Sequence, residues 1–151
     1  MSEFSDLYQE LILDHNKHPR NFGPLPDADR QAEGHNPLCG DNVTVYLKLG
    51  DGTLEDIHFE GSGCAISTAS ASLMTEALKG KSPAEAAILF DKFHHMVIGE
   101  QVDFDAPPAL DKLEAFAGVS EFPVRVKCAS LAWHTMMAAL EGRDEPVTTE
   151  E

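Results

Sequence analysis

Positive charge is the first thing this sequence lacks. Eleven lysines and arginines stand against 26 aspartates and glutamates, a net charge of −15 over 151 residues. Such a surface repels phosphate backbones and anionic membranes, so nucleic-acid and membrane-surface functions are not expected. Long apolar runs are missing too, and no stretch approaches the roughly 20 apolar residues of a membrane span. The start, Met1 to Asp6, has neither the basic residues nor the apolar run of a secretion signal, so the expected compartment is the cytoplasm. Cysteine is scarce, with three residues, an odd number. Without a secretion signal that count argues against a disulfide framework and raises metal binding or thiol chemistry.

What remains is ordinary in bulk. A hydrophobic fraction of 42% and a charged fraction of 25% suit one soluble domain over residues 1–151 with a real core. Ser5 can cap a first helix carrying Leu7, Tyr8, Leu11 and Ile12, and Pro19 stops it after His18. Residues 21–36 read as a turn-rich loop with a short strand around Arg30 to Glu33. Val43, Val45, Leu47 and Leu49 then alternate with polar residues, Gly50-Asp51-Gly52 turns the chain, and Leu54 to Gly61 alternates again. The pattern predicts an antiparallel hairpin, with His58 facing solvent.

Helices are expected from Ala65 to about Leu78, ended by Gly80; from Ser82-Pro83 to Gly99; over Pro108 to Ala117; and after Cys128 to Gly142. Asp103 to Pro108 reads as a turn-rich break, and the tail 143–151 as frayed. The fold class is therefore α+β, a small antiparallel sheet of about three strands packed with five or so helices.

The chemistry gathers around Cys39-Gly40-Asp41. In extended backbone, side chains two positions apart share a side, so Cys39 and Asp41 can reach one ion. The hairpin returns Cys64 to the same end, since antiparallel strands place their outer ends together. Cys64 and Cys128 both fall at or near helix starts, where free amide groups and the helix dipole stabilise a thiolate. Cys64 alone reads equally well as a buried helix-start thiol.

Three thiolates and one carboxylate suit tetrahedral zinc, and the same set excludes the hard oxygen sites of magnesium and calcium. Four anionic ligands leave a formal charge of about −2 on the site, which Arg125 and Lys127 could offset. Arg125 reads either as a partner of a cysteine sulfur or of Asp41, or as an ordinary surface charge. On residue chemistry alone Asp41 is the weakest ligand and the one that could exchange.

Three runs carry a resemblance: Asn36-Pro37-Leu38-Cys39-Gly40-Asp41, Phe59-Glu60-Gly61-Ser62-Gly63-Cys64-Ala65-Ile66-Ser67, and Val126-Lys127-Cys128-Ala129-Ser130-Leu131-Ala132-Trp133. In order, and with the Leu7 to Asn21 segment, they resemble the iron-sulfur assembly proteins of the IscU/NifU amino-terminal family over nearly the whole chain. Lys127, where scaffold-type members carry histidine, and an extra helical stretch near 82–103 are similar to the SufU branch. The resemblance implies zinc held by Cys39, Asp41, Cys64 and Cys128, with Cys39 accepting persulfide sulfur from a SufS-type cysteine desulfurase and passing it towards a downstream Suf scaffold. It implies exchange of Cys39 for a desulfurase histidine, so that Asp41 holds the ion meanwhile. The alternatives are a scaffold that builds a [2Fe-2S] cluster, or holds iron, on the same residues, and a purely structural zinc domain. A self-sufficient cysteine hydrolase is the remotest reading, since no histidine adjoins any cysteine in sequence.

Overall fold

The computed structural model describes residues 3–37, 40–102, 109–142 and 146–148. Its elements run α1 (Glu3–Lys17), β1 (Arg30–Asn36), β2 (Asp41–Gly50), β3 (Thr53–Ser62), α2 (Ala65–Leu78), α3 (Pro83–Val97), a 3-10 helix (Asp111–Glu121), α4 (Pro123–Leu140) and β4 (Val147–Thr148). The class is α+β, as expected, and the sheet is mixed, in the order β3-β2-β1-β4.

The hairpin forms for the reason its pattern gives. Val43, Val45 and Leu47 from β2 and Leu54, Ile57 and Phe59 from β3 are buried on one face, and Gly50 pairs with Thr53 across Asp51 and Gly52. Both turn residues have positive φ, 48° and 77°, the left-handed pair that matches strand twist and that Asp-Gly adopts readily. On the opposite face the Tyr46 hydroxyl donates to Glu60, which pushes the phenol pKa up to about 12. His58 is on that face too, with its side chain 25% exposed beside Asp56.

Helices cover the apolar face. α4 lies over β1 and β2, and α2 packs against α1, α4 and β3. Trp133 of α4 stacks on Phe93 of α3 with centroids 4.6 Å apart, and Phe93 meets Phe116 of the 3-10 helix edge-on at 5.8 Å. All three are fully buried, each worth about 2–3 kcal/mol by area. α3 starts as its sequence predicts: Ser82 accepts from the Glu85 amide, and the Glu85 carboxylate accepts from the Ser82 amide.

Several expectations differ from the structure. α1 already begins at Glu3, so Ser5 lies inside it rather than at its cap. β1 extends three residues beyond Glu33, to Asn36. Its inward positions there are Gly34 and Asn36, so no apolar alternation announces it. The helix expected over 108–117 is a 3-10 segment displaced to Asp111–Glu121. The break at 103–108 lies outside the described residues. α4 begins at Pro123, not after Cys128, because proline favours the first helical turn. Within the tail read as frayed, Val147 and Thr148 pair in parallel with Gly34 and His35. Among the described residues, no helix is long and apolar enough to cross a membrane.

Candidate metal centre

Three elements deliver the site. Asp41 is the first residue of β2, opposite Asn36 in the β1 register. β3 ends at Ser62, paired with Asn42, and Gly63 leads straight into Cys64, the residue that caps α2. Cys128 sits in the second turn of α4, held against α2 by a 2.6 Å hydrogen bond from the Ser70 hydroxyl to the Ala129 carbonyl. Gly34 lets α4 come this close to the sheet, since a Cβ there would overlap the Thr135 side chain.

The carboxylate of Asp41 is 1% exposed and Cys128 is fully buried, while Cys64 is half-buried. Asp41 Oδ1 accepts the Cys64 backbone N–H at 2.8 Å, and Oδ2 lies 4.0 Å from Cys64 Sγ. Cys64 Sγ accepts the Ser67 amide at 3.4 Å, so the sulfur takes the capping role that a serine oxygen usually fills. One ligand atom from each of Asp41, Cys64 and Cys128 lies within 4.8 Å of the others, the only such group of three among the described residues.

These donors fit zinc. Bonds of about 2.3 Å to sulfur and 2.0 Å to oxygen in a tetrahedron separate ligand atoms by about 3.5–3.8 Å. The observed spread closes onto that with side-chain shifts of about an ångström. Two thiolates and a carboxylate leave one position for a fourth donor. Cys39, the fourth residue expected there, lies outside the described residues; Gly40, exposed at φ 71°, directly precedes Asp41.

Arg125 is exposed in the first turn of α4 and Lys127 is half-buried in the next. Because the helix starts at Pro123, Cys128 lies beyond the four amides a helix start leaves free. The free amides of a helix start are therefore within reach of Cys64 and not of Cys128. No histidine belongs to the ligand group. His15 is buried against Ser72 of α2, and His94 and His134 flank Phe90, with ring centroids 6.0 and 5.1 Å away.

Sequence reasoning passed over Asn36. Its amide Nδ2 lies 3.4 Å from Asp41 Oδ2 and 3.6 Å from Cys128 Sγ, donating to both. The signal available was its place at the head of the run that ends in Asp41 five residues on, which a pattern of apolar residues does not register.

Residues 7–129 match the model of the NifU-like N-terminal domain family. The chain is 44% identical over 130 residues to a protein of Bacillus subtilis named zinc-dependent sulfurtransferase SufU, covering 86% of each. It is 41% identical over 141 residues to a protein of Streptococcus pyogenes named iron-sulfur cluster assembly scaffold protein IscU, covering 93% of this chain and 87% of that one. Among solved structures, a putative scaffold protein for the SUF system from Fervidobacterium islandicum superposes with a TM-score of 0.77 at 36% identity, over 87% of this chain and 94% of that one.

Proposed function

Because the chain belongs to the family of NifU-like N-terminal domains, we propose that it is a zinc-dependent sulfurtransferase that takes persulfide sulfur from a cysteine desulfurase for iron-sulfur cluster assembly. The observation that carries this reading is the convergence of Asp41, Cys64 and Cys128 within 4.8 Å, two residues from the thiol of Cys39 in sequence. In this reading Cys39, Asp41, Cys64 and Cys128 hold zinc, which keeps their thiolates deprotonated at neutral pH. The relative in Bacillus subtilis, named for zinc and sulfur transfer, supports it.

The chain's own residues divide the work. Asp41, Cys64 and Cys128 stay on three packed elements, whereas Cys39 precedes a glycine with positive φ and is the thiol that leaves its place when the desulfurase docks. The Cys39 thiolate attacks the outer sulfur of the desulfurase persulfide. A sulfur–sulfur bond forms at Cys39, the desulfurase sulfur–sulfur bond breaks, and the desulfurase cysteine departs as a thiolate. Sulfur passes at an unchanged oxidation level, so no external oxidant or reductant is needed. Arg125, three residues before Cys128 and so on a neighbouring stretch of the α4 surface, is placed in this reading as the cation that steadies the persulfide or Asp41.

The test is anaerobic mixing with a SufS-type desulfurase. Alanine production should rise, and mass analysis should find the added sulfur on Cys39. Unchanged turnover with an unmodified Cys39 would sink the proposal.

A second reading, a scaffold on which a [2Fe-2S] cluster is built, is favoured by the match to the Streptococcus pyogenes protein named for that role. The same thiolates suit iron. Position 127 weighs against it: a lysine stands where the scaffold-type members carry a histidine, the commoner metal ligand. Reconstitution of a cluster that passes to an apo-ferredoxin faster than the zinc form activates a desulfurase would put this reading first.

A further inference from the structure

Asn36 is the last residue of β1 and is wholly buried. Its backbone carbonyl accepts the Gly40 N–H at 2.9 Å. The side chain does something separate. Nδ2 has two hydrogens, and its two acceptors are Asp41 Oδ2 at 3.4 Å and Cys128 Sγ at 3.6 Å. Oδ1 is buried without a hydrogen-bond partner among the described residues. A half-turn of the amide would exchange the two ends, so the neighbours decide its orientation. Reversed, it would set a carbonyl oxygen against a carboxylate and a sulfur, acceptor against acceptor, and leave the N–H groups idle. The two ligand atoms therefore fix the amide, and the amide in turn fixes them. It ties the start of β2 to the second turn of α4 across 92 residues of chain.

We propose that Asn36 is a positioning residue for the metal centre: donating to both Asp41 and Cys128, it sets them as a preformed half-site that keeps the ion on this chain when Cys39 leaves. Its use in transfer rests on the sulfurtransferase reading. The holding of the two ligands does not. Partners that orient metal ligands typically account for about 10–100-fold in metal affinity.

The test uses the full chain carrying Asn36→Asp, which keeps the shape but replaces the donor by an acceptor, or Asn36→Ala, each with Cys39 intact and with Cys39→Ser. Zinc affinity is read by competition with a chromophoric chelator, and ligand geometry by the sulfur-to-metal charge-transfer band after loading with Co2+. The expected result is an affinity loss of about 10–100-fold in both backgrounds, larger for Asp than for Ala, with a weakened or displaced cobalt band. Circular dichroism of the metal-free Ala variant should match the parent. An affinity within about twofold of the parent together with an unchanged cobalt spectrum would overturn the assignment, well short of the loss typical for such partners. So would a loss confined to the intact-Cys39 background, or failure of both variants to fold, which would make Asn36 a fold residue. If the parent accepts no sulfur on Cys39 yet the affinity losses appear, the transfer reading falls and the role of Asn36 stands.

Discussion

Gly40, beside Asp41 in sequence, and Gly63, beside its carboxylate in space, answer to different physics. A Cβ on Gly63 would lie 2.5 Å from Asp41 Oδ1, the oxygen that accepts the Cys64 amide. Gly63→Ala must displace that carboxylate, so chelator competition should show zinc affinity down by about tenfold. A Cβ on Gly40 would meet nothing among the described residues within 4 Å, but the φ of 71° there disfavours any side chain, by about 1–2 kcal/mol. Gly40→Ala should therefore slow sulfur acceptance at Cys39 more than it weakens zinc. Stopped-flow transfer alongside the same competition assay checks the order, and the reverse order would count against Cys39 as acceptor.

At the scale of elements, the joint between α1 and α2 carries a pH dependence. His15 is 1% exposed; its Nδ1 is 2.6 Å from the Ser72 hydroxyl, which also accepts the Arg20 N–H at 2.9 Å. Glu76, whose carboxylate accepts 3.5 Å from Nε2, favours the proton of the neutral ring on Nε2, and Ser72 then donates to Nδ1. Burial lowers the pKa of His15 below 6.5, the Arg20 charge acts in the same direction, and Glu76 opposes both. The unfolded chain thus takes up this proton first. Stability is full above the unfolded value and is lost as pH falls from there through the folded value. Urea denaturation between pH 7 and about 5.5 should show a steeper decline for the parent than for His15→Gln; parallel slopes would remove His15 from the account.

The same scale shows what the sequence could tell. The hairpin, α2 and the cap of α3 were legible because each is decided within about ten residues, by alternation, by a turn or by a cap. Cys39, Asp41, Cys64 and Cys128 stood out as ligand types because thiols are so few. The inner half of β1 was hidden because Gly34 and Asn36 fill its inward positions. The start of α4 was hidden because Phe122-Pro123-Val124 reads as extended until Pro123 is seen as a first-turn residue. The role of Asn36, though it opens the first of the three runs, was hidden, since one acceptor comes from strand register and the other from a helix far along the chain.

For the whole molecule, a net charge of −15 sets how partners meet it. A desulfurase that docks on this surface should present a basic face, and its association should then be steered by long-range attraction. Stopped-flow association measured from about 0.05 to 0.5 M salt should slow by roughly tenfold as the screening length contracts. Little change would place the docking face among the exposed apolar residues, such as Phe122 and Val124 of the α4 start, which are 60% and 50% exposed.

The meeting of β2, α2 and α4 at one point also has a mechanical meaning. Asp41, Cys64 and Cys128 are 23 and 64 positions apart in succession, so an ion shared among them is a clasp that closes two long loops of chain at once. Closing loops of that length restricts the unfolded ensemble, and the clasp must open before the hairpin can part from either helix. The loaded chain should therefore resist a protease by a slow, ion-limited opening, and a chelator should release it to digestion without any change in the sequence.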